Sequence, residues 1–441
     1  RRKLSSLGRN PVPLLYDCTT ESAVPAAEDS SMLQLYSWGH GASGQLGGGI
    51  EEVRIYPAPI ANLLVPSGFS LSHATPGRLP PPPPDPTPGD RRFEVGISCG
   101  LFHSGLLVDG GLWMWGKGDG GRLGLGHENP VFVPTLNSNL DTNLRSIALG
   151  GLHSVALDAF GRVFSWGYGG FGALGHSVYH RELLPRQVEG SWDGEIRHIA
   201  TSGAHTAAVT SHGKVYVWGR DEGDGRLGLG PNRGPDHAGG MSTPAEVKAM
   251  PEPVAAVSCG GFFTMSLTED GQLWNWGANS NSELGRGDDK RGGWKPEPVP
   301  SLRDVRIVQI ACGGYHSLAL TDKGEVLSWG YGGSGQLGHR TSSVGKGRVP
   351  EPVEALADER VTYVACGGSS SAAVTEGGKL YMWGNAAECQ VGVPGVGDVQ
   401  ATPVEVRFLW GEEDGVGGDR KVVAVAVGAS HTLCIVSRTT T

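Results

Sequence analysis

The sequence predicts an all-β fold, a seven-bladed β-propeller closed by a blade shared between the N- and C-termini. Three observations predict it. Trp-Gly pairs recur in a regular series of seven, at Trp38, Trp115, Trp166, Trp218, Trp276, Trp329 and Trp383, spaced by 77, 51, 52, 58, 53 and 54 residues; an eighth pair, Trp410-Gly411, falls outside the period. A period near 50 residues marks supersecondary units too small to bury their own apolar face, which must stack on their neighbours. A second element, a glycine-bearing loop followed by His-Ser or His-Thr, ends at Ser104, Ser154, Thr206, Ser317 and Thr432, with degenerate copies ending at Thr264 and Ser371. The third observation is phase. No such loop precedes Trp38, and no Trp-Gly follows Thr432. A linear array would leave both half-units as raw sheet edges, an aggregation hazard. A ring joins them into one blade.

Within a unit the strands follow in order. Val305–Cys312 is an apolar run of strand length, broken by Gly313-Gly314, and His316–Leu320 begins the next strand. Thr321–Gly324 is a tight turn that glycine closes with positive φ. Glu325–Gly330 is the third strand, and a Pro-led fourth strand lies near Glu351-Pro352-Val353. Equivalent turns stand at Asp109-Gly110-Gly111, Asp158–Gly161, Ser211-His212-Gly213, Glu269-Asp270-Gly271 and Glu376-Gly377-Gly378. No segment carries helical periodicity over three turns. The 72 glycines and 29 prolines fall largely at repeat-fixed turns, so they do not signal low complexity.

Although 441 residues would ordinarily suggest several domains, a closed repeat array makes one, from residue 31 to 441. Residues 1–30 read as an N-terminal extension. Its start, Arg1-Arg2-Lys3-Leu4-Ser5-Ser6-Leu7-Gly8-Arg9, holds four cations, two serines and no acid. It reads as the remnant of a mitochondrial transit peptide, with a basic nuclear signal as the alternative. The long first gap contains a Pro-rich insertion at about residues 57–92, including Leu79–Gly89. Such a run favours polyproline II and cannot donate to a sheet ladder. The expectation is a surface loop between strands of the first blade; the alternative is a docking peptide for an aromatic groove. No stretch of 18 apolar residues offers a membrane span.

Catalytic chemistry is thin. Gly167-Tyr168-Gly169-Gly170-Phe171-Gly172 fits Gly-x-Gly-x-x-Gly, but it recurs in other units and no helix follows, so it reads as a turn. His103, His153, His205, His316 and His431 share one repeat position, which points to an inter-blade hydrogen bond. Cys99, Cys259, Cys312 and Cys366 all precede the loop glycine and are expected to line the axial wall as small buried hydrophobes. No Cys-x-x-Cys pair supports a metal, and an odd total of seven cysteines argues against a disulfide framework. Neither a catalytic constellation, a metal site nor a cofactor is read.

The net charge of −9 counts against broad nucleic-acid binding, whose affinity rests on phosphate neutralisation. DNA is not an expected partner. Locally, Asp288–Lys295 interleaves cations with an aromatic, so Lys290, Arg291 and Trp294 form a candidate partner site where one or two RNA bases could stack. The plainer reading is a solvated loop whose tryptophan packs on a neighbouring blade. Other long loops, Pro231–Thr243, His339–Arg348 and Phe408–Arg420, are expected on the propeller faces, where partner contacts reside.

The unit Cys312–Leu320 through Trp329–Gly338 resembles the repeat of the regulator of chromosome condensation family, and the resemblance covers about residues 31–437. It implies a seven-bladed propeller. The family includes Ran exchange factors, a UV-B photoreceptor, chromatin binders and organellar members linked to RNA metabolism, so fold alone does not select a function. In the Ran exchange factor, acidic residues in the second and third histidine loops and a histidine in the fifth matter for exchange. Those loops here read Gly150–His153, Ser202–His205 and Gly313–His316; the acids are absent and only His316 matches. The photoreceptor's Gly-Trp-Arg-His-Thr motif is also absent, with Leu152, Ala204, Phe262 and Tyr315 at its positions. The resemblance therefore implies an organellar or plant-like member that is neither of these two proteins. It suggests a non-enzymatic scaffold binding a protein or ribonucleoprotein partner, in support of mitochondrial RNA processing or ribosome and respiratory-complex biogenesis. The alternative is guanine-nucleotide exchange on a small GTPase other than Ran. The candidate partner-binding residues are Phe262, Tyr315, His316, Lys290, Arg291 and Trp294.

Overall fold

The computed structural model describes residues 11–20, 30–71, 75–80, 93–231, 240–340, 347–409 and 419–438. Their strands form seven sheets, six of four strands and one of five. The innermost strands of successive sheets touch all the way round, with Val95–Cys99 meeting Arg420–Val427 where the ring closes. One-turn 3-10 helices are the only helical elements among the described residues. Blade 6 shows the plan: Ile307–Cys312 at the axis, then His316–Thr321, Val326–Gly330 and Glu351–Pro352 at the rim. The loop after each innermost strand and the loop after each Trp-Gly strand leave the same face, here called the loop face. The tight turns leave the opposite face.

Blade 1 is shared between the two ends of the chain. Ser30–His40 pairs on one side with Val53–Pro66 and on the other with His431–Arg438, inside which runs Arg420–Val427. Trp38 stands opposite Thr432 in that register, so the unpaired halves of the two repeat series meet. One feature departs from expectation: Leu14–Asp17, placed by sequence in the extension before residue 31, adds a fifth strand parallel to Asn62–Leu64. The other outermost strands are seven residues or shorter, whereas Val53–Pro66 has 14, and its far half offers unpaired backbone groups. Tyr16 ties this strand to the next blade, with its ring edge-on to Phe93 at 5.5 Å and its hydroxyl donating to Asp109 at 3.2 Å.

In every blade the strand beyond the Trp-Gly strand carries, within it or just before it, a proline at one register position, Pro57, Pro134, Pro185, Pro244, Pro296, Pro350 and Pro403. Each immediately precedes the residue paired with the one before the repeat tryptophan. A proline there has no N–H to donate and blocks pairing with another chain.

All seven repeat tryptophans are fully buried. In five, the indole N–H donates to a loop carbonyl of the preceding blade: Trp38 to Gln390, Trp115 to Gln45, Trp166 to Arg122, Trp329 to Glu283 and Trp383 to Gln336, at 2.9 to 3.0 Å. Glycine underlies each ring. A Cβ on Gly124, whose φ is +69°, would lie 2.8 Å from the Trp166 indole nitrogen.

The repeated histidines form the expected inter-blade bonds. The Nε2 atoms of His103, His153, His205, His316 and His431 lie 2.9 to 3.1 Å from the hydroxyls of Ser154, Thr206, Thr264, Ser371 and Ser104 in the following blade. The chain of bonds therefore passes through the closure. Since Ser154 donates its own proton to the Arg122 carbonyl at 2.7 Å, His103 must donate from Nε2, which fixes the neutral tautomer. Two links are missing. Blade 5 has Phe263 and blade 7 Ser370 in place of histidine, and the Ser317 hydroxyl beyond Phe263 has no partner.

Burial pushes these imidazoles down, His153 and His316 to about 4 and His431 to about 3. A depressed folded-state pKa means that the unfolded chain takes up protons first as pH falls. The stabilisation is complete above the ordinary value near 6.5 and is lost between there and about 4. Each histidine contributes a slope of about 1.4 kcal/mol per pH unit near pH 5. Replacing His316 by Phe, the residue blade 5 already carries, should flatten the pH dependence of unfolding by about that amount. Urea titrations from pH 7.5 to 4 check this; parallel curves for the two proteins would contradict the ring assignment.

The Pro-rich insertion behaves unlike the expected surface loop. It joins the outermost strand of blade 1 to the innermost strand of blade 2, and its residues 75–80 enter the axial channel from the turn face. The Gly77 N–H donates to His198 Nε2 at 3.0 Å, and the Gly77 carbonyl accepts from the Ile310 N–H at 2.9 Å. The Leu79 N–H donates to the Val308 carbonyl at 2.9 Å, the Thr75 and Tyr363 hydroxyls lie 3.4 Å apart, and Arg78 lies over the Tyr363 ring. The segment thus bonds to the exposed inner edge of blade 6 and plugs the channel. Gly77 has φ +75°, and a Cβ there would meet the Ile310 carbonyl oxygen at 2.1 Å. Residues 81–92, with most of the proline run and any docking role for it, lie outside the described residues, as does the start of the extension, residues 1–10.

Candidate partner-binding face

The shared repeat fixes two positions in every blade on the loop face: the residue before the ring histidine and the residue after Trp-Gly. A backbone hydrogen bond of 2.8 to 2.9 Å joins them in each blade, with the second residue donating: His40 to Ser430, Lys117 to Phe102, Tyr168 to Leu152, Arg220 to Ala204, Ala278 to Phe262, Tyr331 to Tyr315 and Asn385 to Ser369. The backbone is one pattern seven times over, whereas the side chains are not. Blades 2 to 6 present aromatic, aliphatic and cationic groups. Blades 7 and 1 present only Ser369, Asn385, Ser430 and His40.

The crescent on blades 2 to 6 is a packed assembly. Phe262 and Tyr315 stack with centroids 5.3 Å apart and planes 20° apart, and Tyr331 meets Tyr315 edge-on at 6.4 Å. Arg226 lies over the other side of Phe262 at 4.7 Å, Arg220 over Phe171 at 4.3 Å, and Lys117 over Phe102 at 5.4 Å. Tyr168, Tyr315 and Tyr331 remain about two-fifths exposed, as does Leu152. A contiguous exposed apolar surface of this kind, rimmed by polar groups, is the usual mark of a docking site.

The charges on this face are already matched. Arg226 is paired with Asp224, Arg220 with Glu222, and Lys117 with Asp119. Arg122, buried, donates to the carbonyls of Asp119 at 3.0 Å and Gly151 at 3.1 Å. Burial raises the carboxyl of Asp221, whose Oδ1 accepts from the Gly223 N–H at 2.9 Å.

Inside the crescent the axis opens as a cup of about 450 Å³, lined by Leu149, Leu152, Phe262, Val427 and several loop glycines. Cys99, Cys259, Cys312 and Cys366 form part of its wall, as their repeat position implied. Burial raises all four thiols, Cys312 to about 12, so they stay neutral and behave as small apolar groups. A smaller cavity of about 130 Å³ beneath shares this wall and ends on Thr75 and Pro76 of the plug. Among the described residues no group of three or more His, Cys, Asp or Glu side chains could hold a metal ion.

Of the candidate residues, Phe262 and Tyr315 lie together in the crescent. His316 is fully buried and bonded to Ser371, so its place as a partner-contacting residue is corrected; it belongs to the inter-blade ring. Lys290, Arg291 and Trp294 lie towards the rim of blade 5. Trp294 begins the outermost strand Gly293–Pro298, is 47 % exposed, and donates from its indole N–H to the Gly223 carbonyl of blade 4 at 3.1 Å. Arg291 forms two 3.0 Å bonds to Asp289, whose carboxyl those bonds hold down at about 2, and Lys290 is bonded to Ser282. The Gly223–Arg226 loop links Trp294 to Phe262. Sequence reasoning missed Phe102, Lys117, Tyr168, Arg220, Arg226 and Tyr331; comparing the residue after each Trp-Gly across the copies would have found four of these six.

The two loops where the resemblance to the Ran exchange factor implies acids, Gly150–His153 and Ser202–His205, hold none, and the nearby acids Glu222 and Asp224 are committed to arginines. The Gly167–Gly172 run forms a one-turn 3-10 helix at Gly170–Gly172 with Phe171 at φ 62°, a turn as expected.

The sequence matches the RCC1-like domain family over residues 34–434. It is similar to the mitochondrial RCC1 domain-containing protein RUG3 of Arabidopsis thaliana, 62 % identical over 429 residues, covering 97 % of this chain and 93 % of that one. It is also 34 % identical over 346 residues to the ultraviolet-B receptor UVR8 of the same plant, covering 78 % of this chain and 74 % of the receptor. Among solved structures, yeast RCC1 (Prp20), in a complex with Kap60, superposes with a TM-score of 0.74 at 20 % identity, covering 93 % of this chain and 90 % of that one. Human WBSCR16 superposes with a TM-score of 0.70 at 23 % identity, covering 91 % and 98 %. These two likenesses show the fold. The mitochondrion, the compartment read from the sequence, is the compartment of this protein.

Proposed function

The chain belongs to the RCC1-like domain family, and on that premise we propose that it is a non-enzymatic mitochondrial scaffold that holds a protein or ribonucleoprotein partner on the loop-face crescent. The observation that carries this reading is the asymmetry of an otherwise sevenfold frame. One backbone pattern presents Leu152, Tyr168, Phe262, Tyr315 and Tyr331 on three blades, Phe102 with Lys117 and Ala204 with Arg220 on two more, and only polar groups on the other two. The partner belongs to mitochondrial RNA processing or to ribosome or respiratory-complex biogenesis, a reading supported by the likeness to a mitochondrial relative and by the organellar branch of the family. RNA is reached directly or through that partner.

Exchange on a small GTPase other than Ran is the second reading, favoured by the three carboxylates Asp221, Glu222 and Asp224 in the loop between Arg220 and Arg226, two residues that line the cup. Two measurements separate them. Nucleotide release from a panel of small GTPases should be unaccelerated by the purified protein, whereas crosslinking in intact mitochondria should recover a defined protein set with or without RNA. Accelerated release from any member would replace the scaffold by an exchange factor.

A further inference from the structure

We propose that the axial cup is the anchor pocket of the crescent, and that its occupant is a bulky apolar side chain on a protruding loop of a protein partner. The inference rests on the scaffold reading and names how the partner is gripped. The cup measures about 450 Å³ and opens inside the aromatic crescent. Its walls are glycine backbone, the side chains of Leu149, Leu152, Phe262 and Val427, and thiols kept neutral by burial, with His153, Arg220 and Arg226 also in the lining. Beneath it a smaller cavity that shares the cysteine wall ends on the chain's own Thr75 and Pro76. A mostly apolar pocket at the centre of a docking surface is where binding energy concentrates, because a side chain inserted there is stripped of its water.

Charge decides between protein and nucleic acid. Binding to a phosphate backbone draws its affinity from cations that exchange counterions for phosphates. Here Lys117, Arg220 and Arg226 are each matched by a carboxylate, and the Arg220–Arg226 loop sets two cations against Asp221, Glu222 and Asp224. Arg291 and Lys290 farther out are bonded to Asp289 and Ser282. An RNA strand laid across the crescent would meet no uncommitted cation among these groups, and the three carboxylates would repel it. An uncharged, apolar protein loop meets no such obstacle. RNA, where it accompanies this protein, arrives through the partner.

The cup can be filled without disturbing the fold. Gly203 and Gly368 line it on different blades; neither has positive φ, and a Cβ on either would find nothing within 4 Å. Gly203→Trp and Gly368→Trp therefore block the pocket from two sides. Gly68→Trp is the matched control, with equally open space in the connection leaving the opposite face. The probes are a phage-displayed library of disulfide-constrained peptides selected on the whole protein, and a single-stranded oligouridylate. Selected peptides should share one bulky apolar residue. By fluorescence anisotropy they should bind Gly203→Trp and Gly368→Trp about tenfold or more weakly than the wild type. They should bind Gly68→Trp unchanged, without competition from the oligouridylate. Peptides that bind the two blocked variants as well as the wild type would overturn the inference, as would an oligouridylate whose own binding is lost on blocking the cup. The two levels fail differently. If Gly203→Trp keeps its mitochondrial partner while Tyr315→Ser loses it, the cup inference falls and the crescent stands; if neither loses it, the crescent reading falls.

Discussion

Removing residues 420–441 is expected to abolish the native fold rather than trim one end of it. The deletion takes away Arg420–Val427 and His431–Arg438, the inner half of blade 1, including fully buried Leu433, Ile435 and Val436 and nearly buried Val425. Burying each such side chain stabilises by about 1.5–3 kcal/mol, so these four alone approach the roughly 5–15 kcal/mol that separates a folded domain from its unfolded chain. The loss does not stop there. Ser30–His40 keeps Val53–Pro66 on one side but loses the whole of its other side, eight paired residues from Met32↔Arg438 to Gly39↔His431, and becomes a raw sheet edge. Gln390 loses the hydroxyl of Thr432, Ser104 loses His431, and blade 2 faces open solvent where Arg420–Val427 had packed. A ring differs from an open repeat array in this respect, since the array would lose one terminal interface. Size-exclusion chromatography and thermal unfolding of the truncated chain should show aggregation and no cooperative transition. A monomer melting within a few degrees of the intact protein would contradict closure through a shared blade.

The parts of this architecture legible in the sequence are those written in every copy. Trp-Gly, the histidine of the ring and the loop glycine recur because each performs the same inter-blade contact seven times or nearly so, and their phase shift was enough to place the closure between Trp38 and Thr432. Even the gaps were visible, as Phe263 and Ser370 break the histidine column at the blades where the bonds are missing. What could not be read occurs once. Leu14–Asp17 is a four-residue strand with no period, and it exists because one outer strand outruns its neighbours. The plug depends on contacts between Gly77 and His198, Gly77 and Ile310, and Thr75 and Tyr363, each more than 100 residues apart in the chain. A short Thr-Pro-Gly-Arg-Leu segment beside a proline run gives no local sign that it lies in a channel. The crescent was half legible. Phe262 and Tyr315 stood out as departures at a repeat position, but His316 sat beside them in sequence while pointing into the blade interface, because adjacent residues at the start of a strand face opposite ways. Arg220 and Arg226 were hidden in glycine-rich turns that look alike until their side chains are seen over Phe171 and Phe262.

On the proposed function, the repeat supplies the frame and the departures from it on one face supply the binding surface. Blade 7 already carries Ser369 and Asn385 at the positions where blade 6 carries Tyr315 and Tyr331, on the same backbone and with the same hydrogen bond. The double variant Tyr315→Ser, Tyr331→Asn therefore installs residues that the fold tolerates at the equivalent places. Both tyrosines are about two-fifths exposed, so stability should change by about 1 kcal/mol or less. Binding should not survive. Removing two central aromatic groups from a docking surface typically weakens it tenfold or more, roughly 1.4 kcal/mol for each factor of ten. The measurement is quantitative recovery of crosslinked partners from intact mitochondria, with the variant and the wild type at equal abundance and with equal unfolding midpoints. The expected result is that the partner set disappears while the protein remains folded. Undiminished recovery from a folded variant would contradict it.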